Sequence, residues 1–224
     1  SVLAGAKGWI FMNHYPAYGP PTGSISPIIP SVGVSHEAGS FLARLLKREG
    51  EVRVRLTTTD ENEMMTTYNV IGDLAGSAED EAYALVGCHY DGHDIAQGAL
   101  DPVSGAVVVM EMARVFTKVA GSLKRRVRLA LFGAEEIGLF GSREYVARHE
   151  DELASLRFML NLDTAGRDGD KGIILHGQPA LEPFVERVAR ETTAEIPYLQ
   201  KVTPDSDHWP FFLKGVPCGS GGDP

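Results

Sequence analysis

Apolar residues from about position 59 onward form short continuous runs that alternate with segments of helical periodicity. Continuous runs of this kind are typical of strands that are buried on both faces of a sheet. The alternation predicts an α/β fold: a mixed, largely parallel central sheet with helices on both faces. The predicted strands are 67–71, 83–88, 127–132, 158–162 and 173–175, and the predicted helices are 104–119, 141–149 and 181–193.

The first 58 residues have a different pattern. Short apolar stretches at 9–12 and 29–34 flank a loop rich in proline and glycine, residues 36–48 have the periodicity of an amphipathic helix, and 52–56 alternates like a half-exposed strand. This part is predicted to be a partial, small α+β accessory module over 1–58, followed by the larger domain over 59–224.

Composition and charge narrow the range of partners. Hydrophobic residues make up 43% of the 224 residues, which is enough for a buried core. The formal net charge of −9 argues against nucleic acid or an anionic membrane surface as the partner. No run approaches the roughly 20 apolar residues of a membrane span. Two cysteines, Cys88 and Cys218, are too few for a disulfide scaffold.

Side chains that bind metals or transfer protons lie close to the ends of these apolar runs. Because the carboxyl ends of parallel strands meet at one edge of a sheet, we expect the side chains to converge there. They are His89, Asp91, Asp101, Glu135, Glu136, Asp163, Asp207 and His208.

Taken singly, each of these residues has an ordinary structural explanation. Asp91 and Asp101 suit turns, and Glu135 with Glu136 suits the acidic first turn of a helix. Their joint placement favours a metal site instead, because carboxylates crowded at a low-dielectric edge repel one another unless a divalent cation is present. Oxygen and imidazole ligands without thiolates suit zinc or a similar divalent ion.

Five short motifs contain these residues: His89-Tyr-Asp91, Gly98-Ala-Leu-Asp-Pro-Val-Ser-Gly105, Ala134-Glu-Glu-Ile-Gly-Leu-Phe-Gly-Ser142, Asn161-Leu-Asp163 and Ser206-Asp-His208. In this order they resemble the M28 family of co-catalytic zinc exopeptidases. The resemblance covers about residues 65–218, and the family's activity implies a catalytic domain over 59–224. Residues 29–34 and the helix after them resemble, more weakly, the C-terminal part of a protease-associated domain.

The resemblance implies two zinc ions per chain. His89 and Asp163 would hold one ion, Glu136 and His208 would hold the other, and Asp101 would bridge the two. Such a pair of ions polarises the scissile carbonyl and lowers the pKa of water.

Two further residues receive catalytic roles from the resemblance. Glu135 would be the general base that takes a proton from the attacking water and passes it to the leaving amine. Asp91 would accept the second ring N–H of His89 and fix its tautomer. The family pattern also implies a cis peptide bond between Asp101 and Pro102.

The function implied is a metal-dependent exopeptidase acting on a peptide substrate, an aminopeptidase in the first instance. The alternatives are a carboxypeptidase or dipeptidase of the same family, a one-zinc glutaminyl cyclase-like acyltransferase, and a receptor-like binding domain. Arg143 and Arg167 follow site motifs and would suit a substrate carboxylate. Relatives are commonly secreted, periplasmic or membrane-anchored, so an extracytoplasmic location is expected, although the first residues carry no signal-peptide pattern.

Two expectations concern the surroundings of this site. His93 and Asp94 lie close to it in sequence and are candidates for lining the pocket, whereas the remaining histidines are expected to be surface or structural residues. Only 16 residues follow His208, and relatives continue further, which predicts a chain truncated at its C-terminus. The remaining histidines are His14, His36, His149 and His176.

Overall fold

The computed structural model describes residues 4–21, 28–59, 61, 63–93, 96–166, 168–169 and 171–222. The chain divides into two compact units, Ser1–Thr66 with His93–Ile95 and Thr67–Gly92 with Ala96–Pro224. This division lies near the boundary expected after residue 58. Asp94 and Arg167 lie outside the described residues, so their suggested roles stay predictions.

The first unit contains a parallel strand pair and one helix. Strand β1 (Trp9–Met12) pairs with β2 (Ser31–Val34), and helix α1 (His36–Glu49) follows directly. The helix begins at Ser35, whose hydroxyl accepts the N–H of Ala38 at 3.2 Å. It ends at Gly50, whose φ of 77° is a conformation that favours glycine. The helix predicted over 36–48 is therefore confirmed.

The described part of the second unit is built on a seven-stranded mixed sheet, which confirms the predicted fold class. Its helices are α2 (Val103–Lys118), α3 (Phe140–Arg148), α4 (Glu182–Thr192) and α5 (His208–Leu213). Its strands are β3 (Val70–Leu74), β4 (Tyr83–His89), β5 (Arg126–Phe132), β6 (Leu156–Asn161), β7 (Gly172–Ile174), β8 (Tyr198–Leu199) and β9 (Cys218–Gly222).

The strand order is β3-β5-β4-β6-β9-β7-β8. Strand β4 runs parallel to β5 and to β6, and β6 runs parallel to β9. Only the pairs β3–β5 and β7–β9 are antiparallel among the described strands. The ends of β4, β5 and β6 therefore lie at the same edge of the sheet.

Two apolar cores cover the two faces of this sheet. On one face, Phe132, Tyr145 and Phe211 pack ring against ring, with centroids 5.5–6.0 Å apart. On the other face, Val109 of α2 lies in a cluster with Val86 of β4. Since β4 is covered on both faces, its run is apolar throughout, and the first polar side chain after the run is His89.

Several elements differ from the sequence predictions. The strand predicted over 52–56 is wrong, because these residues pair with no described strand. Helix α5 is not among the helices predicted from the sequence. Pro210 is tolerated because it lies in the first turn, where its missing N–H has no helical acceptor.

Strand β9 was also missed, because its Gly-Ser-Gly-Gly sequence is typical of a flexible segment. The glycines have a packing reason here. A Cβ on Gly219 would come within 2.8 Å of Ile173 and 2.9 Å of Phe158, and one on Gly221 would come within 2.6 Å of Leu162. Glycine thus lets β9 lie beneath the side chains of its neighbours.

Gly105 allows α2 to approach the end of β6. A Cβ at this position would overlap the carbonyl oxygen of Leu162. Gly105→Ala should therefore lower the free energy of unfolding by about 3 kcal/mol, because backbone rather than a flexible side chain must move. Urea denaturation measures the change. Gly72→Ala is the matched control, since nothing lies within 4 Å of its added carbon. Equal loss in both variants would contradict this packing.

No helix among the described residues is long and apolar enough to cross a membrane. Cys88 and Cys218 are both buried and are not joined by a disulfide. Burial raises the pKa of each thiol to about 12, so both are protonated at neutral pH.

Candidate metal and catalytic site

His89, the last residue of β4, forms the centre of the site and is 1% exposed. Its Nδ1 lies 2.9 Å from the main-chain oxygen of Asp91, so this nitrogen carries the hydrogen. Its Nε2 lies 3.0 Å from Asp101 Oδ1 and 3.2 Å from Asp163 Oδ1. The second nitrogen therefore points at two carboxylates, an arrangement that requires a proton or a cation between them.

The surroundings of His89 favour positive charge. Burial alone would lower the pKa of His89, but the contacts with the carboxylates of Asp101 and Asp163, together with the nearby carboxylate of Asp91, outweigh burial and raise the pKa. A proton on Nε2 thus takes the place that a metal ion would fill.

Asp163 is held by hydrogen bonds that continue away from the site. Its Oδ2 accepts the hydroxyl of Ser206 at 2.5 Å, and Ser206 accepts the amide N–H of Asn161 at 2.8 Å. Burial would raise the pKa of Asp163, but the hydrogen bonds from His89 and Ser206 lower it. Asp163 is therefore anionic and fixed in orientation.

Asp101 lies on the loop that leads into α2. Its side chain is 49% exposed, and its peptide bond to Pro102 is cis, which confirms the prediction from the family pattern. The loop closes through the N–H of Val103, which donates to the carbonyl of Gly98 at 2.9 Å.

Glu135 and Glu136 lie in the turn between β5 and α3. Ala134, directly before them, has a φ of 57°, and the N–H of Leu139 donates to the carbonyl of Glu135 at 2.8 Å. Glu135 is 8% exposed. Burial raises the pKa of Glu135 to about 8, with His89 acting in the opposite direction. Two adjacent carboxylates thus have different environments.

Asp91 lies beside His89, as the family resemblance implies, and it also holds the turn that carries Glu135 and Glu136 (the glutamate turn). Its Oδ1 lies 3.7 Å from His89 Nδ1, beyond hydrogen-bond distance, because the main-chain oxygen occupies that position. Its two carboxylate oxygens instead accept the N–H groups of Glu135 and Glu136, at 3.0 and 3.3 Å. Asp91 therefore connects the end of β4 to the glutamate turn.

This contact predicts the effect of changing Asp91. Asp91→Ala leaves two backbone N–H groups without their acceptor and frees the turn, so kcat/KM for peptide hydrolysis should fall about 10- to 100-fold. Asp91→Asn keeps one acceptor oxygen and should lose less. Steady-state kinetics on the two variants measure the difference, and wild-type kinetics in Asp91→Ala would contradict the role.

Five of these side chains form two overlapping groups that could hold a metal ion. Within each group the ligand atoms lie within 4.8 Å of one another, and a tetrahedral zinc ion with bonds of about 2.0–2.1 Å would hold its ligand atoms about 3.3 Å apart. The 3.0 and 3.2 Å separations at His89 fit that requirement. The groups are His89, Asp101 and Glu136, and His89, Glu135 and Asp163.

The structure does not bring His208 into either group. Its Nε2 lies 2.7 Å from the carbonyl oxygen of Thr203, and its Nδ1 lies 3.2 Å from the hydroxyl of Ser220. His208 does line the same cleft of about 360 Å³ as Asp101 and Asp163. It forms a wall of the site, with both ring nitrogens engaged.

Other residues of the site received no role in the chemistry from the sequence. Ser206 and Asn161 belong to matched motifs, and this was the only signal that they support Asp163. Asp207 is fully buried, and burial raises the pKa of its carboxyl to about 7. His176 was expected to be a surface or structural residue, and it lies fully buried against His208.

A mixed sheet with a histidine and four carboxylates at the ends of three adjacent parallel strands defines an α/β protein with a candidate site for a divalent metal ion. Residues 69–222 match the model of peptidase family M28. The chain belongs to this family.

Relatives and solved structures agree with this assignment. Leucine aminopeptidase 2 of Trichophyton rubrum is 31% identical over 96% of this chain and 46% of its own length. A zinc aminopeptidase from Bacillus subtilis superposes with a TM-score of 0.70 at 28% identity, over 100% of this chain and 56% of its own. An aminopeptidase from Aneurinibacillus gives 0.75 at 28% identity, over 97% and 54%. The chain spans about half the length of the curated relatives it matches.

Proposed function

We propose that the protein is a zinc-dependent aminopeptidase. The observation that carries the proposal is the convergence of His89, Asp101, Asp163 and Glu136 beside the buried carboxyl of Glu135. Membership of peptidase family M28 and the similarity to zinc and leucine aminopeptidases support it.

We further propose that two zinc ions bind here. His89 and Asp163 would hold one, Glu136 and His208 the other, and Asp101 would bridge them. His208 lines the same cleft as Asp101 and Asp163. When bound, the ions would polarise the scissile carbonyl and lower the pKa of water.

The protein groups around the ions have separate tasks. Glu135 accepts a proton from the attacking water and passes it to the leaving amine. Burial favours this exchange because it raises the pKa of the Glu135 carboxyl towards neutrality. Asp91 holds the glutamate turn in place. Ser206 keeps the Asp163 carboxylate in a single orientation.

The lining of the cleft does not suit a substrate carboxylate. Outside the proposed ligands, its charged residues in the described part of the chain are Asp205 and Lys201. A substrate carboxylate would need a surplus of basic groups, which this lining does not provide. Arg143 is exposed on α3 and does not line this cleft.

The direction of hydrolysis is tested with leucyl-p-nitroanilide and its N-acetylated form, on zinc-loaded protein and after treatment with a chelator. We expect hydrolysis of the free-amino substrate only, and loss of that activity when zinc is removed. Equal hydrolysis of both substrates, or hydrolysis of hippuryl peptides alone, would contradict an aminopeptidase. Ammonia release from N-terminal glutamine without peptide hydrolysis would indicate a cyclase instead.

A further inference from the structure

Asn69 lies directly before strand β3 and contacts both ends of the glutamate turn. That turn runs from Gly133, directly after β5, to Gly141, in the first turn of α3. Nδ2 of Asn69 donates to the carbonyl oxygen of Gly141 at 2.8 Å, and Oδ1 accepts the N–H of Gly133 at 3.2 Å. The N–H of Gly141 also donates directly to the carbonyl oxygen of Gly133 at 2.9 Å. One carboxamide thus completes the pairing of the two glycines.

The partners of Asn69 fix the orientation of its carboxamide. A main-chain N–H only donates and a main-chain carbonyl only accepts, so Oδ1 faces Gly133 and Nδ2 faces Gly141. Both glycines are buried, so bulk water does not replace Asn69 as their partner. No ionisable group takes part in the two bonds, and their direction therefore depends neither on pH nor on a metal ion.

The two glycines leave the space that Asn69 and its neighbours fill. A Cβ on Gly141 would overlap Asn69 Oδ1 and the carbonyl oxygen of Gly133. A Cβ on Gly133 would come within 2.5 Å of Thr67 Oγ1 and 2.8 Å of the carbonyl oxygen of Tyr68. The segment before β3 therefore packs directly against the two ends of the glutamate turn.

The segment that carries Asn69 is itself fixed to the end of β4. The hydroxyl of Tyr90 donates to the carbonyl oxygen of Tyr68 at 2.7 Å, and the N–H of Tyr90 donates to the carbonyl oxygen of Phe132 at 3.0 Å. Tyr90 directly follows His89, a proposed zinc ligand. The chain that holds the glutamate turn is therefore anchored one residue away from the centre of the site.

The backbone of the glutamate turn needs such support. Ala134 and Leu139 have φ values of 57° and 59°, in the left-handed region that residues other than glycine rarely adopt. Conformations of this kind persist where surrounding contacts determine them. Asp91 binds the N–H groups of the two glutamates within the turn, and Asn69 binds the turn at its two ends.

We propose that Asn69 is a positioning residue that closes the glutamate turn and thereby fixes Glu135 and Glu136 relative to His89. Asn69 does not touch the reacting atoms and acts through the two glutamates. Displacement of a catalytic group by about 1 Å can lower a rate about 100-fold. The inference rests on the proposed function only in taking Glu135 as the proton acceptor and Glu136 as a zinc ligand, because the closed turn itself needs no metal.

Steady-state kinetics of Asn69→Ala and Asn69→Asp, with zinc in excess, test the positioning role. We expect kcat for leucyl-p-nitroanilide to fall about 10- to 100-fold in both variants while KM stays within about threefold, because Glu135 acts on the attacking water and not on substrate binding. Aspartate has the size of asparagine and still accepts from Gly133, but at neutral pH it has no hydrogen for the carbonyl of Gly141. Wild-type kcat in folded Asn69→Asp would overturn the proposal.

Asn13→Ala is the matched control for loss of the two bonds. Asn13 makes the same kind of pair within the first unit, because its Nδ2 donates to the carbonyl of Gly19 at 3.0 Å and its Oδ1 accepts the N–H of Tyr15 at 3.0 Å. Its kcat and KM should equal those of the wild type. An equal fall of kcat in Asn13→Ala and Asn69→Ala would overturn the proposal, since lost stability would then explain both.

Hydrogen exchange tests the closed turn independently of activity. In Asn69→Ala the main-chain amides of 133–141, followed by mass spectrometry on the whole protein, should exchange about 10-fold faster than in the wild type, whereas those of β4 should not change. Unchanged exchange in the turn would overturn the proposal. Faster exchange, in a protein whose wild type shows no zinc-dependent hydrolysis, would support the closed turn and contradict the proposed function.

Discussion

Replacement of Glu135 by glutamine should lower kcat for peptide hydrolysis by about 10²- to 10⁴-fold while zinc content stays at the wild-type level. The amide keeps the shape of the side chain but does not accept the proton of the attacking water. Glu135 is buried and lies beside Glu136, so a selective effect separates a proton-transfer role from a role in holding metal.

The measurement combines steady-state kinetics on leucyl-p-nitroanilide with elemental analysis of zinc. Glu144→Gln provides the control, because Glu144 is exposed on α3 and pairs only with Arg148 at the surface among the contacts described. Its kinetics should equal those of the wild type. A Glu135→Gln variant with wild-type turnover would refute the assignment of the base.

Asp101→Ala should release zinc and reduce turnover to background. Asp101 Oδ1 lies 3.0 Å from His89 Nε2. Loss of this carboxylate removes one metal ligand from the group formed by His89, Asp101 and Glu136. Zinc at 100 times its dissociation constant stabilises a folded protein by about 2.7 kcal/mol. This stabilisation should disappear in the variant, which a thermal melt with and without zinc detects.

Asp205→Ala is the matched control for Asp101→Ala. Asp205 lines the same cleft but belongs to neither ligand group. Its zinc content and its stabilisation by zinc should equal those of the wild type. Full zinc occupancy in Asp101→Ala, or equal losses in both variants, would contradict the proposed place of Asp101.

Periodicity predicted the central part of the fold because burial there is strong. The apolar run of β4 comes directly before the loop that carries Asp101, and the helical pattern of α2 comes directly after it. Both elements are found within a few residues of their predicted bounds. Elements stabilised by tertiary contacts were missed. Strand β9 is glycine-rich since its neighbours leave no room for side chains, which a sequence pattern does not reveal.

Most of the candidate site could be predicted from the sequence. His89, Asp101, Glu135, Glu136 and Asp163 converge because the ends of the parallel strands β4, β5 and β6 bring them together, as the order of the motifs predicted.

Motifs do not specify which atom of a residue makes a contact. Asp91 contacts His89 through its main-chain oxygen, and its carboxylate binds the glutamate turn. His208 lies at the cleft, but its nitrogens face Thr203 and Ser220. These choices depend on the loop conformation and on side-chain rotation.

The central claim is that this sheet edge is a zinc-dependent aminopeptidase site. It is tested most directly by titrating chelator-treated protein with zinc while following both bound zinc and the release of leucine from a free-amino substrate. The account predicts that activity rises with zinc and levels off at two bound ions per chain. Zinc binding at this stoichiometry without leucine release, or release that is independent of zinc, would contradict it.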